Sequence, residues 1–264
     1  MTTLPPSAPI EFLDTVDSTM DAARSRVQDG RVTFDSDGSP SSGGLVAEEQ
    51  TAGRGQRGRS WHASRRESLC ATYYIRHRFD LPSEAVKIPL MVGVVAAGLI
   101  QGQLPLTEVR LKWPNDILIR DKKAGGVLVE LVRASDGCWT ALVGVGINVS
   151  TTEFPIELRG SATSLAIESS DASSLPTPIE FAHSSGSALS HYAGSHNPDS
   201  FGSIIRNWRR LDASAGRRYE VDLDGKTIAG TAEGIDDSGA LILRFDDGSQ
   251  SAVTSASSLR EIGL

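Results

Sequence analysis

Between Glu49 and Trp61 the chain reads Glu-Gln-Thr-Ala-Gly-Arg-Gly-Gln-Arg-Gly-Arg-Ser-Trp, interleaving glycines with guanidinium groups. Gly53, Gly55 and Gly58 are free to take positive φ and to let a ligand approach the backbone, while Arg54, Arg57 and Arg59 carry planar forks suited to phosphate or carboxylate. Such a loop suits an anion. A solvated basic turn and an arginine-glycine RNA-binding tail are the competing readings. The tail reading fits poorly, because the pattern occurs once and lies between apolar Leu45, Val46, Ala47 and the strand-like Leu69 to Ile75.

Three further patches carry polar residues at the ends of apolar runs. Lys112-Trp113-Pro114-Asn115-Asp116 interrupts a strand with a polar kink, setting a cation beside oxygen donors suited to magnesium; a plain strand bulge is the alternative. Arg120 to Gly126 reads as a hairpin turn, placing Lys122 and Lys123 on that turn beside Gly125 and Gly126, which permit close approach to the backbone. Gly144 to Asn148 ends a buried strand on a polar residue that either receives a ligand or terminates the strand. Near the start, Ser18 reads as a helix N-cap, with Asp21 closing a capping box; hydroxyls and N–H groups at such a start also bind polar ligand atoms.

The elements that must position these residues follow from patterning. Ile10 to Val16 and Ser68 to Ile75 are strand-like, Trp139 to Val149 is a buried strand, and Ala85 to Gln103 is apolar on nearly every side, as a buried helix requires. Pro89 suits the first turn of that helix, and Gly93 and Gly98 suggest close packing. Thr177-Pro178-Ile179-Glu180 spells a capping box, and Phe201, Ile204, Ile205, Trp208 and Leu211 fall at helical spacing. Beyond Asp212 short alternating runs are punctuated by Asp224-Gly225, Ser238-Gly239 and Asp247-Gly248, as a small β barrel requires. Residues 1–10 and 35–44 read as flexible.

Composition narrows the class. With 264 residues, 39% hydrophobic content and net charge −7, the chain buries a full core and is not a general nucleic-acid binder, so a small anionic ligand is favoured. Cys70 and Cys138 lie in apolar runs and read as buried free thiols in a reducing, cytoplasmic compartment. Residues 1 to 10 lack the pattern of a signal peptide and Ile88 to Ile100 is too short to span a bilayer. His183, His191 and His196 match no metal-ligand spacing and read as structural or exposed.

Taken in order, Asp17-Ser18-Thr19, the Gly-Arg loop, Lys112 to Asp116, and Lys123-Ala124-Gly125-Gly126 with Gly144 to Asn148 closely resemble biotin protein ligases, from about Asp14 to the C-terminus. The resemblance implies an α+β fold: a class II aminoacyl-tRNA synthetase-like catalytic domain of mixed sheet and helices over residues 1–211, and an SH3-like barrel over residues 212–264. It implies a ligase that converts biotin and ATP, with magnesium, to biotinyl-5′-AMP and passes biotin to a lysine of a carboxyl carrier domain of acetyl-CoA, acyl-CoA or pyruvate carboxylase. Ser18, Thr19, Met20 and Gln50 would then hold biotin, and Gly53, Arg54, Gly55, Gln56, Arg57 and Gly58 would fold over its carboxylate and the phosphate. Lys123, Arg54 and Lys112 are the implied catalytic cations, Gly125 and Gly126 lie beside Lys123, and Asn115 and Asp116 are the implied magnesium pair. Trp61 is implied as a wall, Asn148 as an adenine contact, and Arg260 as a residue reaching the nucleotide from the barrel. Met20 and Gln56 depart from the family, which usually has asparagine and arginine there. With about ten residues before the first strand there is no room for the winged helix of the repressor members, so a monofunctional enzyme that binds neither DNA nor membrane is expected. A lipoate or octanoate ligase of the same fold and a non-catalytic biotin-binding module are the alternatives.

Overall fold

The computed structural model describes residues 9–35, 40, 43–76, 87–194, 198–223, 226–254 and 259–262. The expected flexible segments 1–10 and 35–44, the Asp224-Gly225 turn and His196 therefore lie wholly or partly outside the described residues, as does the side chain of His191.

A seven-stranded mixed sheet organises the N-terminal part. Its strands are β1 Ile10–Val16, β2 Gly44–Gln50, β3 Ser68–Ile75, β4 Val109–Lys112, β5 Asp116–Ile119, β6 Lys122–Arg133 and β7 Trp139–Asn148, in the order β1-β2-β3-β7-β6-β5-β4. Only β1 and β2 run parallel; the other neighbours are antiparallel. Both faces of the sheet are covered, so β3 is buried at every position and its alternate residues serve different layers. Tyr73, Val143 and Val145 join α2 Lys87–Gln103, α4 Pro178–Gly194 and α5 Pro198–Leu211 in the main core. Leu45, Tyr74 and Leu142 pack under α1 Thr19–Gln28 with Met20, Ala23 and Val27. A short helix, α3 Leu165–Glu168, follows β7.

Local signals account for the helix starts. Thr177 and Glu180 form the reciprocal capping box of α4: the Thr177 N–H donates to Glu180 Oε2 at 2.8 Å and the Glu180 N–H to Thr177 Oγ1 at 3.3 Å. At α1 the box does not close. Ser18 Oγ accepts from the Met20 N–H at 3.3 Å, while Asp21 pairs with Arg54 at 2.7 Å instead of capping. Of the two glycines in α2, Gly93 faces Trp208, whose ring a Cβ would meet at 3.0 Å, whereas Gly98 is exposed with nothing within 4 Å. The expected close packing at Gly98 is therefore absent.

The stretch around Lys112 also differs from expectation. β4 and β5 pair antiparallel, Lys112 opposite Asp116, so the Trp113-Pro114 dipeptide, joined by a cis peptide bond, reverses the chain in a hairpin rather than kinking one strand. The next turn is confined to Arg120 and Asp121, both left-handed; Lys122 and Lys123 already belong to β6.

The C-terminal part is a five-stranded antiparallel sheet of β8 Arg218–Leu223, β9 Lys226–Ile235, β10 Leu241–Phe245, β11 Gln250–Val253 and β12 Leu259–Ile262, in the order β11-β10-β9-β8-β12. β8 to β11 run as an antiparallel meander and β12 returns to pair with β8, a small β domain as the resemblance implied. Gly239 and Gly248, at φ +89° and +84°, make the two described hairpin turns. Trp113 joins the two sheets: its backbone N–H donates to Ser214 Oγ at 2.7 Å and its indole N–H to the Gly239 carbonyl at 3.0 Å. Among the described residues no helix is long and apolar enough to cross a membrane.

Candidate functional site

Glycines of the sheet lie beneath side chains of α1 and of the Gly-Arg loop. On β7, Gly144 lies under Met20, whose sulfur a Cβ would meet at 2.8 Å, and Gly146 lies under the Trp61 indole, which a Cβ would meet at 2.6 Å. The cleft left over this floor has a volume of about 770 Å³ and takes in the N-terminus of α1, the Gly-Arg loop, the Lys112 hairpin, the start of β6 and part of the C-terminal sheet. The four patches of the sequence thus converge on one cavity.

At one end the polar groups are fixed by a relay. Thr72 Oγ1 donates to Thr19 Oγ1 at 3.0 Å, and Gln50 Oε1 accepts from both the Thr19 N–H at 2.8 Å and Thr19 Oγ1 at 3.0 Å. Because a backbone N–H faces the Gln50 oxygen, its amide nitrogen must point the other way, toward Cys70 and the cleft. Burial pushes the Cys70 thiol up to about 12, opposed by Gln50 and the Trp61 indole. Sequence reasoning missed Thr72 and Cys70 as site residues, although Thr72 is the one threonine inside β3. The second thiol differs from expectation: Cys138 is exposed at the β6–β7 turn, its N–H donating to Asp136 Oδ1 at 3.0 Å.

The Gly-Arg loop closes on itself, with the Gly55 N–H donating to the Arg59 carbonyl at 2.7 Å and a 3-10 turn over Gln56–Gly58. Of its three glycines only Gly58 has positive φ; Gly53 is needed because a Cβ would strike the Trp61 carbonyl at 2.6 Å. The left-handed neighbour is Arg57, at φ 59°, an uncommon conformation for a residue with a side chain. Arg54 turns away to Asp21 and to Glu130 at 3.4 Å, leaving Arg57 and Arg59 with no ion pair among the described residues. Loss of water around its guanidinium and the charge of Arg59 pull Arg57 below its ordinary pKa, and the Asp116 carboxylate opposes them.

Across the cleft Lys123 Nζ donates to Asp116 Oδ1 at 2.5 Å, and its backbone is held by the Ser161 carbonyl and the Thr163 N–H, at 2.8 and 2.9 Å. Gly126 lies beside it, 3.5 Å from Nζ at its Cβ position, while Gly125 faces the opposite side of the sheet against Ile117 and Ile147. Asn115 is buried and its amide nitrogen donates to the Val127 carbonyl at 2.7 Å, committing it to the strand backbone. Among the described residues no three His, Cys, Asp or Glu side chains converge as a metal cage. Asp116 alone fits a magnesium ion that arrives on nucleotide phosphates and keeps most of its own waters. Asn148 is likewise committed, donating to the Thr163 carbonyl at 2.9 Å. Arg260 sits on the rim, paired with Glu220 at 2.7 Å. His183 packs on Phe12, ring centroids 5.4 Å apart, away from the cleft.

Residues 24–148 match the biotin/lipoate A/B protein ligase family and residues 216–257 the biotin protein ligase C-terminal domain. The biotin--[acetyl-CoA-carboxylase] ligase of Mycobacterium tuberculosis is 32% identical over 223 residues, covering 80% of this chain and 76% of that protein. The chain belongs to the biotin protein ligase family. It is also 30% identical over 213 residues to the bifunctional ligase/repressor BirA of Bacillus spizizenii, of whose length it spans 62%. The biotin protein ligase of Aquifex aeolicus in complex with biotin and ATP shares the fold, with a TM-score of 0.76 at 24% identity over 96% of this chain and 99% of that one. Within the ligase fold, the cleft lies between the seven-stranded sheet and the C-terminal sheet.

Proposed function

We propose that this chain activates biotin with ATP to biotinyl-5′-AMP and transfers the biotinyl group to a lysine of a biotin carboxyl carrier domain. The observation that supports it most is the juxtaposition in one cleft of a directed amide at Gln50, an apolar floor between Met20 and Trp61, and the Lys123–Asp116 pair facing Arg57. That sequence of surfaces matches a neutral polar ring, an aliphatic tail and a carboxylate meeting a phosphate.

In the first step the biotin carboxylate oxygen attacks the α-phosphorus, the P–O bond to pyrophosphate breaks, and pyrophosphate leaves. Nothing in that step requires a covalent bond to the protein, so the chain contributes proximity and preorganised charge. Thr19 fixes the Gln50 amide so that its N–H groups meet the ureido oxygen. Lys123 lies where it can neutralise the carboxylate and α-phosphate oxygens, and Asp116 holds the ammonium in place. Magnesium, when bound at Asp116, supplies neutralisation of the phosphate charge. In the second step the carrier lysine amine attacks the acyl carbon, AMP departs, and an amide forms. The Mycobacterium tuberculosis relative is named for acetyl-CoA carboxylase, and the carrier domain of that class, or of acyl-CoA or pyruvate carboxylase, is the proposed acceptor in the cytoplasm.

Incubation with biotin, magnesium ATP and a carrier domain, read by pyrophosphate release and streptavidin blot, tests the proposal. Turnover with lipoate and not biotin would replace it with the second activity of the family. Binding of biotin without pyrophosphate release would reduce the chain to a biotin-binding module.

A further inference from the structure

At the end of the cleft away from Gln50, one carboxylate holds two cations. Lys112, at the head of the Trp113-Pro114 hairpin, donates to Glu261 Oε2, and Arg217 Nη1 donates to Glu261 Oε1 at 2.9 Å. Arg217 is itself oriented by the Ala213 carbonyl at 2.7 Å and by Asp121 at 3.0 Å. All four charged side chains line the cleft, as does Tyr219, whose hydroxyl is buried without a hydrogen-bond partner. Lys112 and Asp121 come from the seven-stranded sheet's hairpins, Arg217 and Glu261 from the C-terminal part. Glu261 sits on β12, which among the described residues is an edge strand with β8 as its one neighbour.

The pair is not needed to join the two sheets. Trp113 already does so through two hydrogen bonds, and the Ala213 N–H donates to the Leu111 carbonyl at 2.7 Å. A carboxylate bridging an ammonium and a guanidinium reproduces the contacts that a phosphate group makes with the same two cations, which bind phosphate at least as well.

We infer that Glu261 is a stand-in counter-ion for the nucleotide: it occupies the Lys112–Arg217 subsite when that is empty, and the polyphosphate of ATP displaces it. This rests on the ligase reading above and adds a residue that sets nucleotide affinity. Each nucleotide bound must first take the two cations from Glu261, and the carboxylate stays nearby as a like charge that hastens departure of pyrophosphate. Glu261 is thus a positioning residue for Lys112 rather than a group that touches the reacting atoms.

Titration calorimetry with inorganic tripolyphosphate, in the absence of biotin and of turnover, tests the inference apart from the ligase reading. Glu261→Gln removes one negative charge a few ångströms from a polyanion and should tighten tripolyphosphate roughly tenfold. Glu261→Asp keeps the charge and should stay close to the parent. In a Lys112→Met background the gain should shrink by at least half. During turnover the KM for ATP should fall in E261Q while the KM for biotin stays put. Equal or weaker tripolyphosphate binding by E261Q, or a full tenfold gain that survives Lys112→Met, overturns the inference, since Glu261 is then a strut or a remote charge. Failure of the parent to make biotinyl-5′-AMP sinks the ligase reading and leaves the tripolyphosphate result to stand or fall alone.

Discussion

Replacing Gly146 by alanine tests whether the glycine floor shapes the cleft. The added methyl would meet Trp61 Cε2 at 2.6 Å, Cζ2 at 2.8 Å and Nε1 at 3.0 Å, well inside ordinary van der Waals contact. Gly146 lies in the middle of two ladders, opposite Cys70 on one side and Gly126 on the other, so its backbone cannot yield. The indole has little room either, because its backbone is pinned: the Trp61 backbone N–H donates to the Gly53 carbonyl at 2.8 Å and Gly53 abuts the Trp61 carbonyl. Overpacking of this kind costs about 1–3 kcal/mol, which for a protein of this size lowers the Tm by roughly 2 to 12 °C. If the ring swings out instead, it enters the volume proposed for the biotin tail, and biotin affinity falls at least tenfold with a smaller loss of Tm. Gly98→Ala is the matched control: exposed, helical and with nothing within 4 Å, it should raise stability by about 0.5 to 1 kcal/mol. Differential scanning calorimetry and biotin titration of both variants read the outcome. A Gly146→Ala protein with the parental Tm and the parental biotin affinity would refute the claim that this glycine is there for the indole.

Other consequences are simpler to check. Lys123→Ala should leave the circular dichroism spectrum unchanged and cut adenylate formation by about 10²- to 10³-fold, measured as pyrophosphate release; a parental rate would make Lys123 a partner of Asp116 and nothing more. Thiol titration with Ellman's reagent at pH 8 should show one fast thiol, Cys138, and a second, Cys70, only after unfolding, because burial holds Cys70 protonated up to about 12. Gln56→Arg should reduce biotinylation of bystander albumin by about five- to thirtyfold at matched adenylate synthesis if a charged hydrogen bond at that position braces the loop. Equal labelling would assign the brace to Arg57, which already faces Asp116.

How far the chain could be read in advance depended on the range of the forces involved. β1 and β3 were readable to the residue because apolar runs ended at turn-forming neighbours, and the Thr177–Glu180 box is a contact between residues three apart. The Lys112 hairpin was misread because its strands are four residues each, too short for alternation to show that the chain reverses. Cys138 was misread because its cysteine type outweighed the Asp136-Gly137 turn signal just before it, and that turn lifts the residue into water. The convergence of Thr19, Gln50, Trp61, Lys112, Asp116 and Lys123 on one cavity agrees with the motifs. Asn115 and Asn148, however, spend their amides on backbone carbonyls, a competition that residue type does not reveal. Nothing local could have foretold Glu261 beside Lys112, since 149 positions separate them.

The seat of Trp113 bears on how this protein can be recombined with its relatives. Its indole reads the Gly239 carbonyl at the tip of the β9–β10 turn, where φ is +89° and a Cβ would strike Leu90 Cδ1 at 2.5 Å. Three distant stretches of chain are thereby matched at a single point: the hairpin that carries Lys112 and Asp116, the helix that carries Leu90, and the C-terminal turn. A chimera that grafts the C-terminal sheet of a relative onto this catalytic half inherits the turn without its counterparts. Its hairpin would lose register with the cleft even if both halves folded, so a productive crossover has to carry Ser214, Gly239 and the Leu90 contact together.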